Sequence, residues 1–91
     1  MKKVEAVIKV SQFEEVNKAL LEIEIDLLTY WDVMGLKNKS NFTSLRTISF
    51  LCRDQYANEA IQAIIKAANI EAGGEGKIFV STIDNAFQIC N

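Results

Sequence analysis

Residues 2–23 read KKVEAVIKVSQFEEVNKALLEI, and their hydrophobic period lengthens partway through. Residues 2–10 alternate imperfectly between apolar and polar side chains, which predicts a β-strand. Apolar residues then recur at helical spacing from Phe13 to Ile23, which predicts an amphipathic helix ending near that residue. Ser11 and Glu14 match the S-x-x-E capping box and place the start of this helix at Ser11.

The same change from strand to helix periodicity occurs again later in the chain. Residues 45–52 alternate and predict a strand. Asp54 is a favourable N-cap for a second helix, whose apolar stripe runs from Tyr56 to Ala68. A glycine-rich turn follows, and residues 77–81 then predict a strand. Residues 86–90 are compatible with a short additional strand at the end.

The middle of the chain lies between these two strand–helix units. Residues 26–34 are rich in aromatic and branched side chains and predict a strand. The stretch from Gly35 to Ser44 is polar and without periodicity, which predicts a long loop.

The resulting order, βαββαβ, is that of an α+β ferredoxin-like sandwich. We expect one domain over residues 1–91, with two helices on one face of a four-stranded antiparallel sheet. Apolar side chains such as Val7 and Leu51 would then lie on the face that no helix covers. An uncovered apolar sheet face predicts an oligomer.

Composition excludes several classes of function. The 91 residues carry 10 basic and 12 acidic side chains and no histidine. The net charge of −2 argues against a nucleic-acid partner, and the lack of histidine excludes histidine-based catalysis or metal binding. Neither a carboxylate pair suited to acid–base chemistry nor a membrane-spanning stretch stands out, so we expect a cytoplasmic protein that is not an enzyme. Cys52 and Cys90 form no CxxC motif and are predicted to be buried thiols, with a disulfide or redox role as the alternative.

Two segments could bind an anion or a partner. The glycine-rich segment from Gly73 to Lys77 has the composition of a phosphate cradle, although composition alone favours a simple helix–strand turn. Lys37, Lys39 and Arg46 form a basic cluster in and after the middle loop, which is either a solvated surface or a contact for an anion or a partner. Phe42 in the same loop could anchor a partner or fold back onto the domain.

Three segments resemble the PII nitrogen-regulatory signalling family. They are residues 2–9, residues 64–68 and the segment Gly74-Glu75-Gly76-Lys77-Ile78-Phe79-Val80, of which the last is the most specific. Thr29, Val33 and Gly35 also fall where the family has them. The resemblance covers nearly the whole domain.

The resemblance implies a homotrimer in which the open sheet faces pack together and adenine nucleotides (ATP, ADP or AMP) bind in clefts between subunits. It also implies nitrogen signalling through a regulated membrane transporter or metabolic enzyme. By this resemblance, the residues that bind the nucleotide are Val7, Thr29, Gly35, Lys37, Gly74, Glu75, Gly76 and Lys77. The residues that contact the partner are Lys39, Phe42 and Arg46, and neither a catalytic residue nor a metal ligand is implied.

The chain also departs from the family pattern. Lys39 replaces a glutamine that helps to hold Mg²⁺ and 2-oxoglutarate, so neither is expected to bind. Gln88 and Cys90 replace two arginines that contact phosphates, which predicts weaker nucleotide binding. The middle loop is shorter than in the family and lacks its modifiable tyrosine.

Two alternative functions stay open. One is a ligand-free interaction trimer with a decayed nucleotide site. The other is a trimeric metal-tolerance protein of the CutA type, in which Cys52, Cys90 and carboxylates would be the metal ligands.

Overall fold

A computed structural model describes residues 1–38, 41–69, 76–87 and 89. The strands are β1 (Lys2–Lys9), β2 (Ile25–Asn38), β3 (Asn41–Cys52) and β4 (Lys77–Thr82), and the helices are α1 (Phe13–Leu20) and α2 (Asp54–Ala68). This order confirms the predicted βαββαβ arrangement.

The four strands form one antiparallel sheet in the order β2-β3-β1-β4. Both helices cover the same face, and the side chains of β1 and β3 that alternate toward them are buried. The core comprises Val4, Ala6, Ile8, Val16, Leu20, Ile48, Phe50, Cys52, Ala57, Ala60, Ile64 and Ala68. This confirms the predicted packing of two helices on one sheet face.

The start of the first helix differs from the capping-box prediction. A 3-10 turn spans Val10–Gln12, and α1 begins only at Phe13. Gln12 supplies the side-chain contacts, because its Oε1 accepts a bond from the Lys9 N–H at 3.0 Å and its Nε2 donates to the Ala68 carbonyl at 2.5 Å. The prediction that Ser11 caps the helix is therefore wrong, and Gln12 instead joins the end of β1 to the end of α2.

The second helix follows the predicted stripe but begins one residue away from the predicted cap. Arg53 occupies the N-cap position, and Asp54 is the first helical residue. The Asp54 carboxylate lies 2.7 Å from the N-terminal ammonium of Met1. The helix ends at Ala68, and the C-cap residue Asn69 has a φ of 54°, the left-handed conformation common at helix ends.

The predicted long loop from Gly35 to Ser44 is wrong, because most of it belongs to strands. β2 and β3 pair as far as Asn38 opposite Asn41, so only residues 39 and 40 separate the two strands. β1 stops pairing with β3 at Leu45, and the hairpin beyond that point projects without a third strand. A strand shows apolar alternation in its sequence when one of its faces is buried. The helices bury neither face of this projecting part, so its sequence lacks that pattern.

The predicted fifth strand is not seen in the part of its segment that the structure describes. Ala86, Phe87 and Ile89 lie outside strands, whereas Gln88 and Cys90 lie outside the described residues. Among the described helices, none is both long enough and apolar enough to span a bilayer.

Candidate functional site

The candidate site lies on the face of the sheet opposite the helices, which we call the open face. One row of side chains crosses it as Trp31, Thr47, Val7 and Lys77, and these come from β2, β3, β1 and β4 respectively. The helices leave this face uncovered, with Trp31 46% exposed. In the next row, Thr29, Ser49, Glu5 and Phe79 lie side by side, with Phe79 54% exposed.

The site residues predicted from the family resemblance fall into two groups on this face. Val7 on β1 lies opposite Lys77 on β4. Gly76 directly precedes Lys77 in the chain. Thr29, Gly35 and Lys37 belong to β2, at the other edge of the sheet. Three strand spacings of about 4.8 Å separate the edges, or about 14 Å. The described residues of this chain therefore do not bring the two groups together.

Positive charge gathers in the group at the β4 edge. Lys77 is exposed at the start of β4, and Lys9 lies two residues along β1 from Val7 on the same face. The nearby carboxylate of Glu5 is paired with the Lys3 ammonium at 3.0 Å, so it does not neutralise these lysines directly. Gly74 and Glu75, also predicted for this group, lie outside the described residues.

The group at the β2 edge is polar and tightly packed against β3. The Thr29 hydroxyl donates to the Ser49 carbonyl oxygen at 3.4 Å and remains exposed. A Cβ added at Gly35 would lie 2.5 Å from Cδ1 of Leu45, so glycine gives this side chain its space. Lys37 is part of β2, but nothing is described of its side chain.

Arg46, predicted as part of a basic partner-binding cluster, is held within the domain. Its Nε and Nη2 donate to the two Asp32 carboxylate oxygens at 2.7 and 3.3 Å. Its guanidinium carbon lies 4.7 Å from the ring centre of Phe13 and 4.5 Å from that of Tyr30. The Arg46 side chain is consequently only 17% exposed. Its hydrogen bonds hold the pKa of the Asp32 carboxyl below its usual value.

We call these four residues, Phe13, Tyr30, Asp32 and Arg46, the arginine clamp. It joins α1 to the base of the β2–β3 hairpin, with the two aromatic rings 4.8 Å apart. Sequence reasoning missed it because Phe13 is far from the other three in the chain. Only the pairing register, which places Asp32 opposite Arg46, could have indicated it.

Phe42, another predicted partner residue, belongs to the hairpin beyond the clamp. Phe42 is 70% exposed at the start of β3, opposite Leu36. It does not fold back onto the domain, which was the alternative prediction. Lys39 lies outside the described residues.

A metal site finds little support in the residues that the structure describes. They contain no group of three or more histidine, cysteine, aspartate or glutamate side chains that could hold an ion. Cys52 is buried in the core, as predicted, and burial raises the pKa of its thiol. Because metal ions bind the thiolate, this shift disfavours Cys52 as a ligand. Cys90 lies outside the described residues.

An apolar groove of about 270 Å³ lies between the end of α1 and the start of β2. Leu21 and Leu27 form its exposed rim, and Leu27 adopts a φ of 34° that is costly for a leucine. No charged side chain lines the groove, so it does not suit a phosphate.

Comparison with known proteins identifies similar sequences over nearly the whole chain. Residues 1–90 match the family described as "Nitrogen regulatory protein P-II". Proteins of that name are 38% identical in Rhodobacter capsulatus, 34% in Mesorhizobium japonicum and 33% in Rhodospirillum rubrum. Each alignment covers 98% of this chain and 91% of the relative. Each alignment is 102 residues long, whereas this chain has 91. The relatives therefore contain residues that have no counterpart here.

Proposed function

This chain belongs to the nitrogen regulatory protein P-II family, and from that membership we propose that it is a trimeric signalling protein with adenine nucleotide sites between its subunits. The nucleotide would control binding to a membrane transporter or metabolic enzyme. We further propose that the protein acts in the cytoplasm.

The observation that carries the proposal is the division of the predicted site between two sheet edges. Lys77 lies on the β4 edge, with Val7 beside it on the interior strand β1, whereas Thr29 and Gly35 lie on β2 at the other edge, about 14 Å from β4. A second subunit that packs on the open face could bring its β2 edge beside the β4 edge of the first. The exposed Trp31 and Phe79 supply apolar surface for that packing.

The chemistry at the β4 edge suits the phosphate end of a nucleotide. Lys77 and Lys9 provide positive charge on the same face, and Gly76 lets a ligand approach the backbone closely. We propose ATP, ADP or AMP as the ligand. Mg²⁺ and 2-oxoglutarate are not part of the proposal, because Lys39 stands where the family has the glutamine that helps to hold them.

A ligand-free interaction trimer is the second candidate, and specific substitutions favour it. Gln88 and Cys90 replace the two family arginines that contact phosphates. Loss of two charge-assisted contacts would weaken nucleotide binding, and a protein that had lost its ligand could still bind its partner.

Calorimetric titration of the full chain with ATP, ADP and AMP separates the two candidates. We expect binding of at least one nucleotide, and we expect Lys77→Ala to weaken it about tenfold, the effect of losing one charge-assisted bond. Lys66→Ala is the matched control, because Lys66 is an exposed lysine on α2, away from the open face. No heat at millimolar nucleotide from an intact trimer would favour the ligand-free candidate.

A further inference from the structure

We propose that the apolar groove between α1 and β2 binds a basic amphipathic helix of a partner protein. The groove has a volume of about 270 Å³ and lies at the start of β2, at the end of the sheet away from the β2–β3 hairpin. Its lining residues Leu20, Ile25 and Leu28 belong to the core or pack against it, on the helix side of the sheet. The groove is therefore not part of the open face, and the proposal goes beyond the nucleotide site.

A bulge in β2 displays Leu27 at the rim of the groove. Leu27 and Leu28 together lie opposite a single residue of β3, Phe50. Leu28 packs against the core, whereas Leu27 is 78% exposed and has a φ of 34°. A leucine in this conformation costs free energy, and its exposed side chain regains little of it by burial within the domain. A strained residue that the fold itself does not need points to a binding role.

Acidic side chains alternate with the residues that line the groove. In the segment Leu21-Glu22-Ile23-Glu24-Ile25-Asp26-Leu27, every apolar residue lines the groove, and every residue between them is an exposed carboxylate. Lys18 is already ion-paired within α1. Arg53 lies next to the β3 residue that pairs with Ile25, so one positive charge accompanies three negative ones. Charge complementarity therefore calls for lysine or arginine around the apolar side chains that enter the groove.

A helix fits this groove better than an added strand. The bulge at Leu27 interrupts the regular backbone of β2, and a bulged edge is a poor template for strand pairing. An amphipathic helix carries its apolar side chains in one stripe with charged residues beside it, which matches an apolar groove flanked by carboxylates. Leu21, just after α1, and Leu27, in β2, form the exposed rim, so a helix that lies between them contacts both.

Three other occupants lack the positive charge that the groove calls for. The tail of a second copy offers the exposed Phe87 and Ile89, but residues 83–91 contain Asp84 and no lysine or arginine. A bilayer that contains anionic lipids would be repelled by the three carboxylates. A fatty acid would bring a carboxylate of its own to the same place.

The test uses the fluorescence anisotropy of labelled synthetic peptides of about 14 residues, or four helical turns, titrated with the full chain. The first peptide has leucine at helical spacing and lysine at the other positions. The second has glutamate in place of every lysine, and the third alternates leucine and lysine with the period of a strand. We expect the first peptide to bind, the second not to bind, and the third to bind about tenfold more weakly than the first.

Leu27→Gly separates a binding role from a structural one. We expect it to weaken binding of the helical lysine peptide about tenfold, as for a contact at the centre of an interface. The same substitution should not lower the urea midpoint, because glycine adopts this φ without strain. A purely structural role for Leu27 would instead lower the midpoint. Leu36→Ser is the matched control, since it changes an exposed leucine at the other end of β2 and should leave the affinity unchanged.

The carboxylates are tested with paired substitutions. Glu22→Gln combined with Glu24→Gln should weaken binding of the helical lysine peptide and make it less sensitive to salt. Glu14→Gln combined with Glu59→Gln removes the same charge from other exposed positions and should leave the affinity unchanged.

Several outcomes would overturn the inference. These are no binding of the helical lysine peptide at millimolar concentration, equal binding of the glutamate peptide, tighter binding of the alternating peptide, or equal affinity in Leu27→Gly and wild type. Self-association that Leu27→Gly abolishes would assign the groove to a second copy instead. Binding to phosphatidylcholine–phosphatidylserine vesicles that Leu27→Gly abolishes would assign it to a membrane. Since these measurements need no nucleotide, their result is independent of the calorimetric titration.

Discussion

Arg46 shows how one side chain can serve the fold where its sequence context suggests a binding surface. It lies near two lysines in the chain, but its guanidinium is stacked beside Phe13 and Tyr30 and hydrogen-bonded to Asp32. Arginine suits this position because its planar group can stack on aromatic rings and bond a carboxylate at two points. The clamp therefore fixes the base of the hairpin against α1.

The clamp should make stability depend on acid pH. The pKa of Asp32 is lowered in the folded protein by its hydrogen bonds with Arg46. The stabilisation is thus present above the ordinary aspartate pKa of about 3.9 and is lost as the pH falls through the lower folded value. We expect Asp32→Asn to reduce the urea midpoint at pH 7. At a pH below the folded pKa of Asp32, the substitution should have little effect on the midpoint.

Asp26→Asn is the control for this measurement, because it removes another exposed carboxylate of β2. Arg46→Lys should lower the midpoint at pH 7 as well, since lysine cannot reproduce the two-point contact or the stacking. Equal midpoints for Asp32→Asn and wild type at pH 7 would show that the clamp contributes no stability.

At the scale of elements, hydrophobic periodicity predicted the strands and helices that bury one face in the core, namely β1, β3, α1 and α2. β1, β3 and α2 lie close to their predicted positions because the core imposes the periodicity that the sequence shows. β4 was also predicted, although none of its residues is fully buried. The outer hairpin was missed because the body of the domain buries neither of its faces. The cap of α1 was missed because Gln12 bonds to Ala68, a residue distant in the chain.

Gln12 should matter more to stability than Ser11, which the capping pattern favours. Gln12→Ala removes a bond to the Lys9 N–H and a bond to the Ala68 carbonyl, both partly buried. We expect it to lower the free energy of unfolding by about 1–3 kcal/mol, measured by urea denaturation. Ser11→Ala, at an exposed neighbouring position, should change it by less than about 0.5 kcal/mol. The reverse order would contradict the assignment of the link to Gln12.

At the scale of the whole molecule, the open face is the side of the sheet that neither helix covers. Sequence alternation predicted that one sheet face would lack cover, and Trp31 and Phe79 are indeed exposed there. The two halves of the candidate site could not be derived from local patterns, because Thr29 and Lys77 lie at opposite sheet edges. Only the family resemblance grouped them, and that grouping remains a prediction.

A charge placed at the centre of the open face should prevent assembly. Val7→Glu would bury a carboxylate in the proposed interface, so we expect monomers in sedimentation analysis, whereas we expect trimers of the wild type. Leu21→Glu places the same charge at an exposed position away from this face and should stay trimeric. Trp31 is the only tryptophan, so its emission should shift to the red on dissociation. A trimeric Val7→Glu variant would contradict the proposed interface.

The close pairing of Asn38 with Asn41 has a kinetic consequence. A binding element that is already ordered loses little conformational entropy when it meets its target. For the proposed partner, we therefore expect complex formation through this hairpin to proceed at an ordinary rigid-body association rate, with affinity set by how long the complex lasts. A signal that reached this hairpin would act by shortening or lengthening that residence time, since there is little chain left to fold.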